Sequence, residues 1–279
     1  MALSIDYTGK LVLITGGGRG IGLGITKAFA SAGADLAITY TSQDSTSLAA
    51  DLSKKYGVSI RAFKCNVTKS AEIDAMIQEV EASWGKKIDM AVANAGISQW
   101  KQTIDSTDED IEKMFAVNTL GPFYLSRSLA RSWLDLPVSV GPDTVDVSEL
   151  KGKKLDKQIL FVSSISGLVA MSPQRQAAYN ASKGGLTMLA KSLAQEWAHI
   201  GIYVNAISPG YVATDMLGNA ANEKEAAFPK EWDFRTPVGR FATPEETGEF
   251  IAVLMSRYQG GGGFMTGSDV VYDGGYTTL

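Results

Sequence analysis

Seven short apolar runs recur along the chain, at 11–15, 35–40, 59–65, 88–93, 158–163, 202–207 and 268–271. Most are continuous, like LVLI at 11–14, and do not alternate apolar with polar positions. That pattern suits strands buried on both faces of a parallel sheet. Between the runs, amphipathic stretches predict helices over 20–32, 44–56, 69–84, 107–133, 174–199 and 243–257. Gly33, Gly57 and Gly85 each follow such a stretch, where a left-handed C-cap favours glycine. Strands alternating with helices predict an α/β fold: a Rossmann-type, doubly wound, seven-stranded parallel sheet flanked by helices on both faces. Neither a repeat nor a dividing linker is visible, so residues 1–279 are read as one domain.

Two stretches break the rhythm. Residues 136–157 carry Pro137, Gly141, Pro142 and the basic run KGKK at 151–154. They are read as a surface excursion between a helix and the fifth strand. Residues 218–240 are polar with Phe228, Trp232 and Phe234 interspersed, and are read as a loop closing over a site at the carboxyl ends of the strands.

Composition narrows the function classes. The 279 residues are 45% hydrophobic and 20% charged, ample for a full core. With a net charge of −4 and scattered lysines and arginines, no nucleic-acid surface is expected. No apolar run reaches the roughly 18 residues of a membrane span, and no signal-peptide pattern is visible in MALSIDYTGK. Cys65 is the single cysteine, so no intrachain disulfide can form and a reducing, cytoplasmic location is expected. One cysteine and one histidine cannot build the usual zinc site, so no metal is expected. Cys65 reads as a small core residue and His199 as a cation at a helix C-terminus. The run GGGG at 260–263 reads as a turn before the last strand.

The run TGGGRGIGLG at 15–24 follows the first strand and opens the first helix. A Walker loop would need lysine where Leu23 stands, and G-x-G-x-x-G would need glycine at Ile21. The spacing that fits is G-x3-G-x-G: Gly16, Gly20 and Gly22. Such glycines let a backbone approach a pyrophosphate at a helix N-terminus. Gly17, Gly18 and Gly24 are assigned to the turn or to close helix–sheet packing. The second strand ends ITYTS (38–42), with hydroxyls and no carboxylate. Asp44 reads as the cap of the next helix. An NAD site would place a carboxylate at that strand end. Its absence, with Arg19 in the glycine turn, favours a 2′-phosphate and hence NADP(H).

A second motif is YNASK, in which Tyr179 and Lys183 stand i, i+4 on one helix face. A nearby cation favours the phenolate and lowers a tyrosine pKa toward the working range. Upstream, SSISG (163–167) ends the fifth strand, and a serine hydroxyl there can hydrogen-bond a carbonyl oxygen as charge develops on it.

With TGGGRGIG (15–22), ANAG (93–96), VNTLG (117–121), SSISG (163–167), YNASKGG (179–185) and SPGYVATDM (208–216) in order, the chain resembles the short-chain dehydrogenases/reductases from about Gly9 to Gly275. The resemblance implies a catalytic tetrad of Asn118, Ser164, Tyr179 and Lys183. Tyr179 would be the general acid and Ser164 would hold the carbonyl oxygen. Lys183 would lower the Tyr179 pKa and bind the nicotinamide ribose. Asn118 would hold a water beside Lys183. Ser164 stands three residues before the motif glycine, Gly167; Ser166 is the fallback, because it keeps the family's usual spacing to the tyrosine. Cofactor contacts are expected from Gly16, Arg19, Gly20, Ile21, Gly22, Tyr40, Ser42, Asn66, Val67, Asn94, Ala95, Gly96, Tyr179, Lys183, Pro209, Gly210, Val212 and Thr214. Asn94 and Gly96 would flank the adenine ribose, and Pro209 to Thr214 would hold the carboxamide.

The chain departs from the family where Asn66 replaces a common aspartate, its amide oxygen still expected to meet the adenine amino group. It departs again at Ala93, and in a serine–tyrosine gap two residues longer than usual. That gap, SPQRQAAYNASK, and the ending TGSDVVYDGGYT resemble fungal NADPH-dependent sorbose and mannitol reductases and related yeast carbonyl reductases. The implied activity is NADPH-dependent reduction of a small-molecule ketone, in a homotetramer built partly by the helices at 107–133 and 174–199. The same tetrad also serves 3-oxoacyl thioester reduction. A non-catalytic dinucleotide-binding protein is the remaining reading.

Overall fold

A computed structural model describes residues 5–141, 145–150, 152–214, 228–256 and 264–278. The strands β1 (Leu11–Ile14), β2 (Asp35–Tyr40), β3 (Ile60–Lys64), β4 (Met90–Ala93), β5 (Lys157–Val162), β6 (Ile202–Pro209) and β7 (Asp269–Tyr272) form one parallel sheet in the order β3-β2-β1-β4-β5-β6-β7. Strand side chains alternate between the faces, so each strand feeds two cores. Leu11 and Leu13 join one apolar cluster, while Val12 and Ile14 join the other. All four are fully buried, which is why the run reads as continuously apolar. Strand order reverses between β1 and β4. The crevice outside their carboxyl ends is where open α/β sheets bind ligands.

The helices are α1 (Gly20–Ser31), α2 (Thr46–Tyr56), α3 (Ser70–Trp84), α4 (Asp108–Phe115), α5 (Gly121–Trp133), α6 (Ala177–Trp197), α7 (Phe228–Arg235) and α8 (Pro244–Met255). Two begin with a reciprocal capping box, Thr107 with Asp110 and Thr243 with Glu246. Asp44 is not the cap of α2: that place falls to Ser45. Asp44 Oδ1 instead accepts the Thr46 N–H at 2.7 Å from one residue further out. Gly57 and Gly85 do take the left-handed C-cap, and Gly33, at φ +87°, follows the C-cap Ala32 of α1.

The continuous helix expected over 107–133 is interrupted. Ala116–Leu120 is a π turn, and α5 restarts at Gly121–Pro122. The chain there passes close to Val67, whose carbonyl would lie 3.1 Å from a Cβ on Gly121. The π turn carries Asn118 inward, fully buried.

The stretch 136–157 is also tied down more firmly than a surface excursion. Val138 is buried, and Val147, Leu150 and Leu155 pack against the core. Ser139 donates to Asp74 Oδ2 at 3.1 Å, and Arg131 Nε donates to the Pro137 carbonyl at 2.6 Å. His199, read from sequence as a cation on a helix dipole, has its Nε2 2.9 Å from the Val147 carbonyl. The segment enters β5 at its amino end, so it lies at the edge of the sheet opposite the β1/β4 crevice. The GGGG run falls outside the described residues, as do Asp215 and Met216 of SPGYVATDM and residues 218–227 of the stretch read as a closing loop.

Gly24 does not serve helix–sheet packing. It packs α1 against α8, where a Cβ on Gly24 would stand 1.9 Å from the Pro244 carbonyl oxygen and one on Gly248 2.2 Å from the Gly24 carbonyl carbon. Gly57, by contrast, has open space around it and a φ of +70°. Gly24→Ala is therefore expected to cost about 3 kcal/mol by overpacking backbone against backbone, a fall in Tm of about 6–12 °C. Gly57→Ala should cost only about 1 kcal/mol, from the left-handed conformation alone. Thermal denaturation of both variants checks the ranking.

Candidate active site

The glycine turn comes from β1 and α1. Gly16 and Gly20 hold φ of +67° and +51°, a region that costs other residues strain. Gly22 is needed for space: a Cβ there would stand 2.1 Å from the Gly16 carbonyl oxygen and 2.6 Å from Asn94 Nδ2. Gly17 and Gly18 are equally tight, against Ile38 and Ser45. Arg19 is the N-cap of α1 and gives no side-chain cap, so the first-turn N–H groups face outward unclaimed. Its guanidinium is exposed and makes no ion pair among the described residues. A bare backbone, free amides, a helix dipole and an unengaged cation fit the pyrophosphate and phosphate groups of a dinucleotide.

Thr15, which the sequence reading passed over, organises the crevice. Its Oγ1 accepts the N–H groups of Asn94 and Ala95, each at 3.0 Å. Asn94 Nδ2 returns the link to the Thr15 and Gly16 carbonyls, at 2.9 and 3.2 Å. Asn94 thus braces β4 against the turn. Ala95 adjoins the turn, lying 3.4 Å from a Cβ on Gly16. Thr214 abuts it from the β6 side, 3.4 Å from a Cβ on Gly20, and Val212 bridges to Ala242.

At the β2 end, Ser42 is exposed, and the Tyr40 hydroxyl is engaged by the Asp44 carboxylate. Hydrogen bonds from Thr46 and Tyr40 hold that carboxyl below its ordinary value. Asn66 differs from the expectation: its Oδ1 already accepts both the N–H and the hydroxyl of Thr68, at 3.1 and 2.9 Å. Two donors fill an amide oxygen, so the adenine contact assigned to it is not offered. Val67 lies next in line, beside Gly121.

The reactive side chains converge where β5 meets α6. Ser164 Oγ accepts the Ser166 N–H at 3.1 Å and hydrogen-bonds the Tyr179 hydroxyl. Ser166 turns elsewhere and accepts from Gln176 Nε2 at 3.0 Å. Lys183 Nζ donates to the Val162 carbonyl at 2.8 Å and sits 5.8 Å from the Tyr179 ring centroid. Gly96 faces both partners of the expected relay: a Cβ there would be 3.4 Å from Asn118 Oδ1 and 3.6 Å from Lys183 Nζ. Asn118 pairs with Ile97 through both backbone groups, each at 2.9 Å, and donates to Ser182 Oγ at 3.1 Å. Its amide is thus engaged with Ile97 and Ser182, beside Lys183.

Burial governs the charges. It pulls the Lys183 ammonium down to about 8. It also pushes the Tyr179 hydroxyl above its ordinary value, partly offset by the Ser164 hydrogen bond. The lowering expected from Lys183 is not among these causes, its amine being held on the Val162 carbonyl. Tyr179 is therefore a protonated donor at neutral pH.

Ser164 and Tyr179 open onto a cavity of about 100 Å³ lined by Ile21, Pro209, Gly210, Val212 and Thr214 on one side. Trp100, Met171, Gln174, Tyr211 and Ser98 line the rest. None of these last five was singled out as a site residue from sequence; they come from three loops, after β4, before α6 and after β6, that only the fold assembles. Among the described residues, no group of histidine, cysteine or carboxylate side chains could hold a metal, and no helix is long and apolar enough to cross a membrane.

Comparison with known proteins agrees with this geometry. The short chain dehydrogenase family model matches residues 10–225. A sorbose reductase of Candida albicans is 36% identical over 275 residues, covering 96% of this chain and 87% of its own. An NADP-dependent mannitol dehydrogenase of Alternaria alternata is 33% identical over 272 residues, covering 96% and 92%. A crystal structure of a short-chain type dehydrogenase/reductase from Mycobacterium marinum superposes with a TM-score of 0.84 at 31% identity, covering 99% and 98%. The protein is thus an oxidoreductase and belongs to the short chain dehydrogenase family, whose members bind a nicotinamide dinucleotide.

Proposed function

We propose that this protein reduces the carbonyl of ketoses, or of related prochiral ketones, to the alcohol with NADPH. The observation that carries the reading is the meeting of the Ser164 and Tyr179 hydroxyls at one wall of the cavity, with a buried lysine one helical turn away. Relatives named as a sorbose reductase and as an NADP-dependent mannitol dehydrogenase support the substrate class and the cofactor.

NADPH would supply the hydride that adds to the carbonyl carbon. Gly16, Gly20, Ile21 and Gly22 would hold its pyrophosphate, with Arg19 and Ser42 toward the 2′-phosphate. Asn94 and Gly96 would flank the adenine ribose, Lys183 would bind the nicotinamide ribose, and Pro209, Gly210, Val212 and Thr214 would lie beside the carboxamide. The Ser166 N–H occupies one lone pair of Ser164, leaving the Ser164 proton free to turn to the carbonyl oxygen. Tyr179 then gives its proton to that oxygen, completing the alcohol. Lys183, when charged, faces the phenolate left behind and favours its formation. A cytoplasmic homotetramer belongs to the same proposal; Ile111, Phe123 and Met188 leave apolar surface on α4, α5 and α6.

Tyr179→Phe is expected to lower kcat for ketose reduction about 10³-fold, read by NADPH absorbance; undiminished turnover would remove Tyr179 from the reaction. Arg19→Ala should weaken NADPH about 10- to 100-fold and leave NADH nearly unchanged, by calorimetric titration. Equal losses for both would make Arg19 a plain loop residue.

Lys183→Met should abolish turnover yet raise stability at pH 7 by about 2 kcal/mol, the relief of a buried charge less its hydrogen bond. The unfolded lysine keeps its ordinary value of 10.5, against about 8 in the folded state. Between these values the unfolded chain binds more protons, so the burial cost falls as pH rises. The variant's advantage should be full at pH 7 and shrink toward pH 10 in denaturant titrations.

A further inference from the structure

The cavity that holds Ser164 and Tyr179 is also lined by the rings of Trp100 and Tyr211, which a third ring supports from behind. Trp232 of α7 is fully buried. It stacks on Tyr211 at 4.6 Å and 13°, and meets Trp100 edge-on at 5.4 Å and 75°. Tyr211 follows β6, and Trp100 follows β4. Ring stacking alone does not fix a register, because a ring can slide on its neighbour at little cost.

Gln174, in the long loop before α6, supplies directional bonds. Its Oε1 accepts the Trp232 indole N–H at 2.9 Å, and its Nε2 donates to the Tyr211 hydroxyl at 2.8 Å. The Tyr211 hydroxyl also meets that of Tyr276. Tyr276 in turn reaches back to the Ser172 carbonyl, two residues before Gln174, at 3.4 Å. The side chain of Gln174 is buried and lines the cavity itself. An indole N–H is donor-only and needs an acceptor when buried, while a tyrosine hydroxyl can accept; a primary amide satisfies both at once.

We infer that Gln174 is a specificity-determining positioning residue. By pinning Trp232 and Tyr211 together, it sets the distance between the aromatic wall and the reacting hydroxyls, and so selects slender, hydroxylated ketones over bulky ones. The inference rests on the carbonyl-reductase reading for its substrate but not for its structural content. Gln174 touches neither Ser164 nor Tyr179 in this arrangement; it acts through the two rings.

The test compares the intact enzyme with Gln174→Met and Gln174→Glu, using NADPH with fructose as the slender ketone and acetophenone as the bulky one. Methionine keeps the volume and removes both hydrogen bonds. A carboxyl in either protonation state accepts from Trp232 and meets the Tyr211 hydroxyl. Gln174→Met should raise KM for fructose about tenfold and shift the fructose-to-acetophenone ratio of kcat/KM about tenfold toward the bulky ketone. Gln174→Glu should recover most of both. An unchanged ratio in Gln174→Met, or equal losses in both variants, would overturn the inference. Should Gln174→Met fail to fold, Tyr211→Phe keeps the ring, removes the hydroxyl that accepts from Gln174 and carries the same comparison. Acrylamide quenching of tryptophan fluorescence is read in parallel and should rise in Gln174→Met. If the wild-type enzyme reduces neither ketone, the carbonyl-reductase reading fails on its own, and unchanged quenching would still overturn the brace.

Discussion

The burial of Lys183 is the constraint around which the rest of the site is arranged. A lysine ammonium taken out of water must be paired or hydrogen-bonded, and here the Val162 carbonyl at the end of β5 receives it. That bond requires α6 to pass directly over the strand end. Gly167 permits the passage, since a Cβ there would lie 2.8 Å from the backbone of Lys183 and Gly184. Ser163 adds a bond to the Lys183 carbonyl at 3.2 Å and a contact with Thr187 at 2.9 Å. Thr187 and Ser208 both turn to the Asp269 carboxylate on β7. The helix carrying Tyr179 is thus locked to three strands, and Ser164 needs no separate device to reach it.

The same close approach of backbones recurs at the dinucleotide end. Gly22 sits on the Gly16 carbonyl and Gly24 on Pro244, so α1 is held between the turn it begins and the helix behind it. In both places glycine provides room more than conformational freedom. The anchored segment at 136–157 works at the other edge of the sheet, tying α5 and the end of α6 together through Pro137 and Val147. The carboxyl edge is left to loops and the short helix α7, which is where substrate selection can vary without disturbing the core.

Much of this was legible beforehand. Continuous apolar runs announced both-face burial, and the runs fell within two residues of the observed strands because parallel strands leave no polar face to confuse the period. The glycine spacing and the Tyr179–Lys183 pair were legible for a similar reason: each depends on neighbours within one turn. The π turn at Ala116–Leu120 was not, and the contact beside it, Gly121 against Val67, joins residues more than fifty apart in the chain. The local bonds of Asn66 were not legible either: its amide oxygen, expected to meet adenine, is held by Thr68 two residues on.

The sequence by itself determined the parallel sheet, the order of its elements along the chain, the glycine turn between β1 and α1 and the placing of Tyr179 and Lys183 on one helix face. These follow from periodicity and from residue chemistry at short separation. The upward shift of the Tyr179 hydroxyl was decided only by the tertiary structure, because burial is a property of what surrounds the group. The cavity wall was decided there too. Trp100, Gln174 and Tyr211, with Trp232 behind them, share no common motif and no period; hydrogen bonds and ring contacts bring them together across up to 132 residues of chain, and only the folded arrangement of three loops and α7 supplies that proximity.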